Sequence, residues 1–241
     1  MSAAAVTAQT RVEVTLTLRR GESLLVTIGI PVLLLVFFSA VDVLPTGTDD
    51  PVDFLAPGVL ALAVMSTAMV SLGIATGFER QYKVLKRLGT TPLGRGALIA
   101  AKTMSVLAVE VLQVAVLVPV ALALGWRPGG SALLAAAALL VATVAFAGIG
   151  MLMAGTLRAE VTLAAANGLY IVLLLLGGMI FPLSELPGWL EAVAELLPAA
   201  ALAEAVAAAL DDGTAPGRAW LVLTAWAVAA PAAAAWRFRW Q

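Results

Sequence analysis

Neither cysteine nor histidine occurs among the 241 residues of the chain. Without cysteine there is no disulfide framework, no thiolate metal site and no cysteine nucleophile. Without histidine there is no imidazole metal site and no Ser-His-Asp arrangement. These absences remove most enzyme chemistry, and we expect neither a catalytic residue nor a bound metal in this chain.

Charged residues are scarce as well: they make up 12% of the chain, whereas 62% of its residues are hydrophobic. Soluble domains contain roughly 45 to 50% apolar residues, and the mean hydropathy of +1.02 is far above their range. The net charge of −1 gives no sign of nucleic acid as a partner. Because the charges lie in short islands between long apolar runs, the sequence predicts an all-α, polytopic membrane protein.

Six apolar runs are long enough to cross a hydrocarbon core about 30 Å thick, given a rise of about 1.5 Å per helical residue. They cover residues 24–44, 55–78, 97–124, 132–152, 161–181 and 219–236. The first run is too long for the apolar region of a cleaved signal peptide and no small-x-small site follows it, so we interpret it as a span. We find no internal repeat, and residues 1–241 are expected to form one transmembrane domain.

Two further segments are predicted to be helical without crossing the membrane. Residues 7–22 mix apolar and charged side chains, which favours a helix lying on the bilayer surface. Residues 187–210 are apolar, but Pro198 divides them into two helices of about eleven residues, too short to cross. Treating them as one span would also bury Glu191, Glu195 and Glu204 in the bilayer. We therefore expect an extracellular re-entrant helical hairpin before the last span.

The distribution of lysine and arginine predicts the orientation. With the N-terminus in the cytoplasm, only Arg127 and Arg218 lie outside, and every other Lys and Arg lies on the inner side. Short cytoplasmic connections carry an excess of basic residues. We therefore expect a multi-pass protein of the cytoplasmic membrane, with both termini in the cytoplasm.

The connection between the second and third predicted spans, residues 78–102, is longer and more basic than a turn requires. We expect the second helix to continue to Leu88, with Tyr82, Leu85 and Leu88 on one face. Gly89 would end it, and Thr91 with Pro92 would begin a new short helix.

The charged residues of this connection allow two interpretations. Arg80, Lys83, Lys86 and Arg87 either anchor the bundle at the inner interface or form a docking surface for a cytoplasmic protein. Glu79 would be available to a basic residue of such a partner, or to Lys83 four residues later. We call residues 79–92 the elbow.

Glu110 is the only ionisable residue deep in a predicted span. Such a carboxyl group either faces a cavity as a functional group or is protonated and hydrogen-bonded to a neighbouring helix. Asn167 and Tyr170, in the fifth predicted span, are its candidate partners or would line a substrate path. Gly73 and Gly77 form a G-x-x-x-G pattern, which favours close helix packing, with a dimer contact as the alternative.

A set of these residues resembles a known family. The set comprises Glu79, Arg80, Lys83, Leu85, Leu88, Thr91, Pro92, Leu93, Lys102 and the run LLLLGGMIFP at residues 173–182. It is similar to the permease subunits of ABC-2 type exporters, including drug-resistance permeases of actinobacteria, and the likeness covers nearly the whole chain. Gln81 departs from the pattern, since a second acidic residue is frequent there.

The resemblance implies a separate cytoplasmic ATPase that binds ATP and Mg²⁺, and this sequence has no G-x-x-x-x-G-K-[ST] loop of its own. It also implies two permeases, identical or related, over two ATPase subunits, with the elbow seated in a groove of the ATPase. Gly177 and Gly178 would lie at the dimer seam. Membrane lipids are the other expected partners.

The leading hypothesis is thus an exporter permease without a cofactor of its own. A nearly uncharged membrane interior favours a lipophilic or amphipathic cargo, such as a drug or a lipid. The alternatives are a proton-coupled carrier or an intramembrane lipid-processing enzyme, each using Glu110. The absence of repeats counts against the carrier, and the absence of a paired polar group counts against the enzyme.

Overall fold

The computed structural model describes residues 3–19, 21–41, 51–88 and 94–237. Its helices are α1 (Ala3–Arg19), α2 (Gly21–Ala40), α3 (Pro51–Met65), a π-helix (Ser66–Ser71), α4 (Leu72–Gln81), α5 (Val84–Leu88), α6 (Arg95–Ala123), α7 (Ala132–Thr156), α8 (Ala159–Leu176), α9 (Gly188–Ala194), α10 (Pro198–Asp211) and α11 (Gly217–Arg237). A 3₁₀ turn covers Leu183–Glu185. No strand occurs in these ranges, and the predicted all-α class is confirmed.

Five helices are long and apolar enough to cross a membrane: Pro51–Gln81, Gly96–Ala123, Ala132–Thr156, Ala159–Leu176 and Gly217–Arg237. They coincide with five of the six predicted spans, so the chain is a multi-pass membrane protein. The remaining predicted span, residues 24–44, corresponds to α2. The predicted surface helix corresponds to α1, and the two helices form a pair bent by 68°.

The fifth predicted span ends earlier in the structure than its hydropathy suggested. Helix α8 stops at Leu176, although the apolar run continues to Phe181. Gly178 has a φ of +65°, a left-handed conformation that residues with a side chain rarely adopt. The chain therefore turns at the two glycines, and Met179 is fully buried beyond the turn.

Helix α7 lies at the centre of the bundle, where it packs against α11, α4 and α10. Its glycines permit close crossings. A Cβ atom on Gly150 would lie 2.6 Å from the carbonyl oxygen of Met69, and one on Gly148 would lie 2.5 Å from the nitrogen of Pro231. Gly73 contacts Gly150 in the same crossing, since its Cβ would lie 3.2 Å from the Gly150 Cα. The first glycine of the G-x-x-x-G pattern thus serves packing between helices of one chain.

Residues 187–210 form two helices with a break before Pro198, as predicted, and α9 and α10 enclose an angle of 83°. Proline is tolerated at the first position of α10 because its missing N–H has no partner within the helix there. Two side chains of α11 hold the break. Arg218 Nη2 lies 2.6 Å from Glu195 Oε2, and Trp226 Nε1 donates a hydrogen bond of 3.0 Å to the carbonyl of Leu196.

The far end of α10 is fixed to the start of α7 through the backbone. The amide of Gly130 donates to the carbonyl of Leu210 at 2.9 Å, and that of Ser131 donates to the carbonyl of Ala209 at 2.6 Å. A Cβ atom on Gly130 would lie 2.2 Å from the Ala209 oxygen, so only glycine allows this approach. The α9–α10 segment is therefore attached at both ends.

Candidate functional site

The second helix does not continue to Leu88 as a single helix, so this part of the prediction was wrong. Helix α4 ends at Gln81 and α5 begins at Val84. Between them Lys83 has a φ of +62°, a conformation that costs free energy for a residue with a Cβ atom. The break therefore separates α5 from the helix that ends at Gln81.

The break also separates the three residues that were predicted to share a face. Leu85 is fully buried and Leu88 is partly buried, whereas 72% of Tyr82 is exposed. The Tyr82 ring stacks on Phe78 with a centroid distance of 6.2 Å. Thr91 and Pro92, the predicted start of the next short helix, lie outside the described residues, as does Gly89.

Glu79 is paired inside the chain with Lys102. Lys102 Nζ lies 2.8 Å from Glu79 Oε2 and 3.0 Å from Glu13 Oε1. Only 1% of the Lys102 side chain is exposed, and a buried ammonium group requires compensating charge. The two carboxylates supply it from α4 and α1, so this triad joins three helices: α1, α4 and α6.

Two neighbouring side chains connect the end of α4 to the turn between α7 and α8. Arg80 Nη2 donates to the carbonyl oxygen of Leu157. Gln81 Nε2 donates to Glu160 Oε1 at 2.8 Å. Gln81, the departure from the family pattern, thus has a partner within the chain. The elbow is attached to α1, α6, α7 and α8 through consecutive residues of α4.

The remaining basic residues of the elbow are exposed. Lys83 and Lys86 line a cleft together with Arg80 and with Arg158 from the α7–α8 turn. Arg87, the residue after Lys86 in α5, is also exposed. The predicted clustering of positive charge at this connection is thus present in space as well as in sequence.

Glu110 lies on α6 with 5% of its surface exposed. Thr143 Oγ1 lies at hydrogen-bond distance, 2.6 Å, from Glu110 Oε2, while the second carboxyl oxygen has no hydrogen-bond partner among the described residues. The two candidate partners named from the sequence are not the ones found. Asn167 Nδ2 donates to the Leu163 carbonyl of its own helix at 2.8 Å.

Gln113 is a buried polar residue that the sequence reasoning missed. Only 1% of its surface is exposed. Its Nε2 donates to the Thr27 carbonyl at 3.0 Å, and its Oε1 accepts a hydrogen bond of 3.2 Å from the Thr67 hydroxyl. The residue therefore links α6 to α2 and to the π-helix. Its position three residues after Glu110, on the same side of a long apolar helix, was the available signal.

Asn167 and Tyr170 line a groove of about 260 Å³ together with residues of α2 and of the π-helix. Ser66 and Ser71, at the two ends of the π-helix, contribute hydroxyl groups to the same groove. Single π turns inside α-helices occur frequently at functional sites. The structure thus brings the two residues together with polar groups of the second span.

Gly177 and Gly178, predicted for a dimer seam, have roles within the chain. A Cβ atom on Gly177 would lie 2.4 Å from the Leu173 oxygen and 3.1 Å from the Ala199 Cβ. Gly178 provides the left-handed turn described above. A Cβ atom on Gly77 would lie 3.4 Å from the Thr162 Cβ, an ordinary contact distance. Gly77 and Gly177 thus lie where helices of this chain approach one another, and Gly178 forms the turn after α8.

The described residues contain no group of three or more acidic side chains placed to hold a metal ion. The arrangement that they do contain is a basic elbow, fixed to four helices, beside a bundle with a few buried polar contacts. A family model described as ABC-2 type transporter matches residues 5–210. No curated protein matches the chain significantly.

Proposed function

The chain belongs to the ABC-2 type transporter family, and from that premise we propose that it is the permease of an ATP-driven exporter for a lipophilic or amphipathic cargo. It is the membrane component of an ABC transporter. In the proposed assembly two permeases, identical or related, stand over two ATPase subunits, which bind ATP and Mg²⁺. The proposal places α2 as a sixth span, both termini in the cytoplasm and the protein in the cytoplasmic membrane.

The observation that carries this proposal is the triple attachment of the elbow. Glu79 pairs with Lys102, Arg80 with the carbonyl of Leu157, and Gln81 with Glu160. A force on the elbow therefore acts on α1, α6, α7 and α8 together. ATP-driven closure of two ATPase subunits would move the elbows, and the attached bundles would follow as rigid bodies and switch access.

The exposed residues of the elbow, which we call its tip, favour docking of a partner protein. They are Tyr82, Lys83, Val84, Lys86 and Arg87. Tyr82 is 72% exposed and Val84 is 43% exposed, at the end of a span where the chain carries Lys83, Lys86 and Arg87. Exposed apolar side chains rimmed by charge mark protein contacts. The tip is separate from the three attachments, so a partner can hold it without breaking them.

The groove lined by Asn167 and Tyr170 is the best candidate for the cargo path. It combines hydroxyl and amide groups with apolar side chains of α2 and of the second span. Asn167 itself is exposed on α8, where apolar Ile171 and Leu175 are also more than half exposed. A polar side chain facing lipid is costly, so we place the second permease copy against this face.

Glu110 supports the alternatives only weakly. A proton-coupled carrier or an intramembrane enzyme would need further acid or base groups beside it. Its one described hydrogen-bond partner is the Thr143 hydroxyl, which binds a carboxyl group but is no second acid or base. Nothing in the described surroundings favours these alternatives over the permease.

The proposal is tested by co-purification with the ABC ATPase encoded beside this chain. The two chains are expressed together in membranes and extracted in mild detergent, and subunit composition and ATP hydrolysis are determined. We expect a complex with two ATPase subunits. Tyr82→Ala combined with Val84→Asp should reduce ATPase recovery, whereas Trp236→Ala, an exposed aromatic near the end of α11, should leave it unchanged. A permease that purifies without the ATPase even in nanodiscs would contradict the proposal.

A further inference from the structure

A cleft of about 390 Å³ opens between the elbow and the turn that joins α7 to α8. Four cationic side chains line it: Arg80, Lys83, Lys86 and Arg158. One carboxylate, that of Glu160, faces the same space and already accepts a hydrogen bond of 2.8 Å from Gln81. Positive charge therefore exceeds negative charge in this space, which we call the basic cleft.

The backbone and side-chain contacts around the basic cleft give it a fixed shape. Arg80 is oriented by its hydrogen bond to the Leu157 carbonyl. Lys83 is held in the left-handed region with a φ of +62°. Such conformations cost free energy and are concentrated at functional sites. The cationic groups are thus presented from folded segments on both sides of the cleft.

The depth of the basic cleft is set by the helices that form it. Its residues come from the last turn of α4, the break after it, α5, the short connection after α7 and the first turn of α8. Arg80, Arg158 and Glu160 thus lie at the ends of three membrane-spanning helices on one side of the bilayer, the level at which lipid headgroups lie. Gly77 and Ala159, both buried, form an apolar part of its lining.

We propose that the basic cleft binds the phosphate group of an anionic phospholipid from the leaflet on the elbow side. A ligand of this place needs a negative headgroup for the lysines and arginines and an apolar body beside Gly77 and Ala159. Guanidinium groups bind phosphate oxygens in pairs, and lysines add charge. Basic pockets between membrane helices on the cytoplasmic side bind such headgroups. This site goes beyond the proposed transport function and does not depend on an ATPase.

The test uses the full-length permease alone, purified in mild detergent and exchanged into nanodiscs of phosphatidylcholine that contain a minor fraction of phosphatidylglycerol. Lipids that remain bound after removal of the bulk lipid are counted by native mass spectrometry. The variant is Arg158→Gln, because Arg158 is the cationic lining residue that lies outside the elbow. The matched control is Arg11→Gln, which removes the same charge from an exposed position of α1.

We expect wild type and control to retain phosphatidylglycerol over phosphatidylcholine. The cleft variant should bind it roughly fivefold more weakly, since each basic residue near an anionic lipid contributes about a factor of five. Equal loss in the control would show general surface charge and overturn the site. So would an absent preference in wild type.

Two further arms identify the source of the ligand and separate this site from docking. Millimolar inorganic phosphate should not displace the lipid, and full displacement would assign the cleft to soluble phosphate compounds instead. The cleft variant should still co-purify with the ATPase. If it loses the ATPase while keeping its lipid preference, the cleft belongs to the protein interface and the lipid assignment is wrong.

Discussion

Lys102 Nζ lies 2.8 Å from Glu79 Oε2, at a place where 1% of the lysine side chain is exposed. A lysine at the start of one span thus neutralises a glutamate at the end of the preceding one. Glu13, on α1, places a second carboxylate 3.0 Å from the same ammonium group. Because the lysine is buried and its partner carboxylate is only partly exposed, loss of the pair has consequences for folding as well as for coupling.

Replacing Lys102 with methionine leaves two carboxylates without their cation. Breaking a buried ion pair on one side costs about 3 to 5 kcal/mol, and we expect a large drop in the thermal midpoint of the purified permease. Arg11→Met, at an exposed position of α1, should stay within about 0.5 kcal/mol of wild type. Adding Glu13→Gln and Glu79→Gln to Lys102→Met should recover most of the loss. A triple variant as unstable as the single one would contradict the ion-pair explanation.

Reversal of Glu79 alone is expected to act in the same way. Glu79→Lys brings a second cation to Lys102, so it should lower stability and coupling together. If Glu79 instead contacted only the ATPase, Glu79→Lys would leave the thermal midpoint of the isolated permease unchanged. Measuring that midpoint without the ATPase distinguishes the two.

The Glu110 and Thr143 contact predicts which substitutions the bundle tolerates. Thr143 Oγ1 lies 2.6 Å from Glu110 Oε2 and 2.8 Å from the Leu139 carbonyl oxygen, but a hydroxyl carries one hydrogen. A protonated Glu110 satisfies both contacts, and glutamine offers the same donor. Glu110→Gln should therefore keep stability and transport near wild type. Thr143→Val should cost about 1 to 3 kcal/mol, because it leaves a buried polar group without a partner.

The informative exception would be a Glu110→Gln protein that folds normally and fails in transport. Such a result would make the carboxyl proton part of the transport cycle. It would then favour the proton-coupled alternative over the ATP-driven exporter.

The crossing of α7 over the second span predicts a glycine-specific effect. A Cβ atom at position 150 would lie 2.6 Å from the backbone oxygen of Met69, and backbone atoms there move only at a cost. Gly150→Ala should destabilise the permease by about 1 to 3 kcal/mol. Gly29→Ala, inside α2, is the matched control, since nothing lies within 4 Å of its Cβ position, and it should be neutral or stabilising by up to about 1 kcal/mol. Equal thermal midpoints for the two variants would refute the close crossing.

The absence of cysteine makes the proposed dimer face directly measurable. A single cysteine introduced as Gly168→Cys on the exposed side of α8 should form cross-linked dimers in native membranes with a short bifunctional thiol reagent. Leu133→Cys, at a position of α7 that is 81% exposed, serves as the control and should remain monomeric. Cross-linking at position 133 but not at 168 would place the second copy on another face.

Composition and hydropathy predicted the helices because a backbone in lipid must pair its own N–H and C=O groups, and an α-helix does so within one segment. Pro198 located the break before α10 for the same local reason: proline cannot continue a helix but can begin one. Prediction from neighbouring residues failed where the interaction partner is distant in sequence. Nothing near Lys102 indicates Glu13, which lies on a different helix.

Other errors arose where the residue type does not indicate the backbone conformation. Lys83 adopts a left-handed conformation that is usual for glycine or asparagine, so the break in the elbow had no sequence signal. At the end of α8 the two glycines, Gly177 and Gly178, indicated a helix end. The high hydropathy of the run, which continues to Phe181, outweighed that indication in the prediction. Gln113 was overlooked because an uncharged polar residue barely changes a hydropathy average.

The π-helix at Ser66–Ser71 changes the direction in which the side chains of the second span point before and after it. One extra residue in a turn rotates everything that follows by about 100° relative to a continuous α-helix. The half before the π-helix, α3, thereby packs against α2 and α10, and the half after it, α4, packs against α7 and α8. Deleting one residue from this turn would restore a regular helix, yet it would swing Gly73 and Glu79 away from Gly150 and Lys102. The irregular turn is the means by which one helix satisfies two different sets of neighbours.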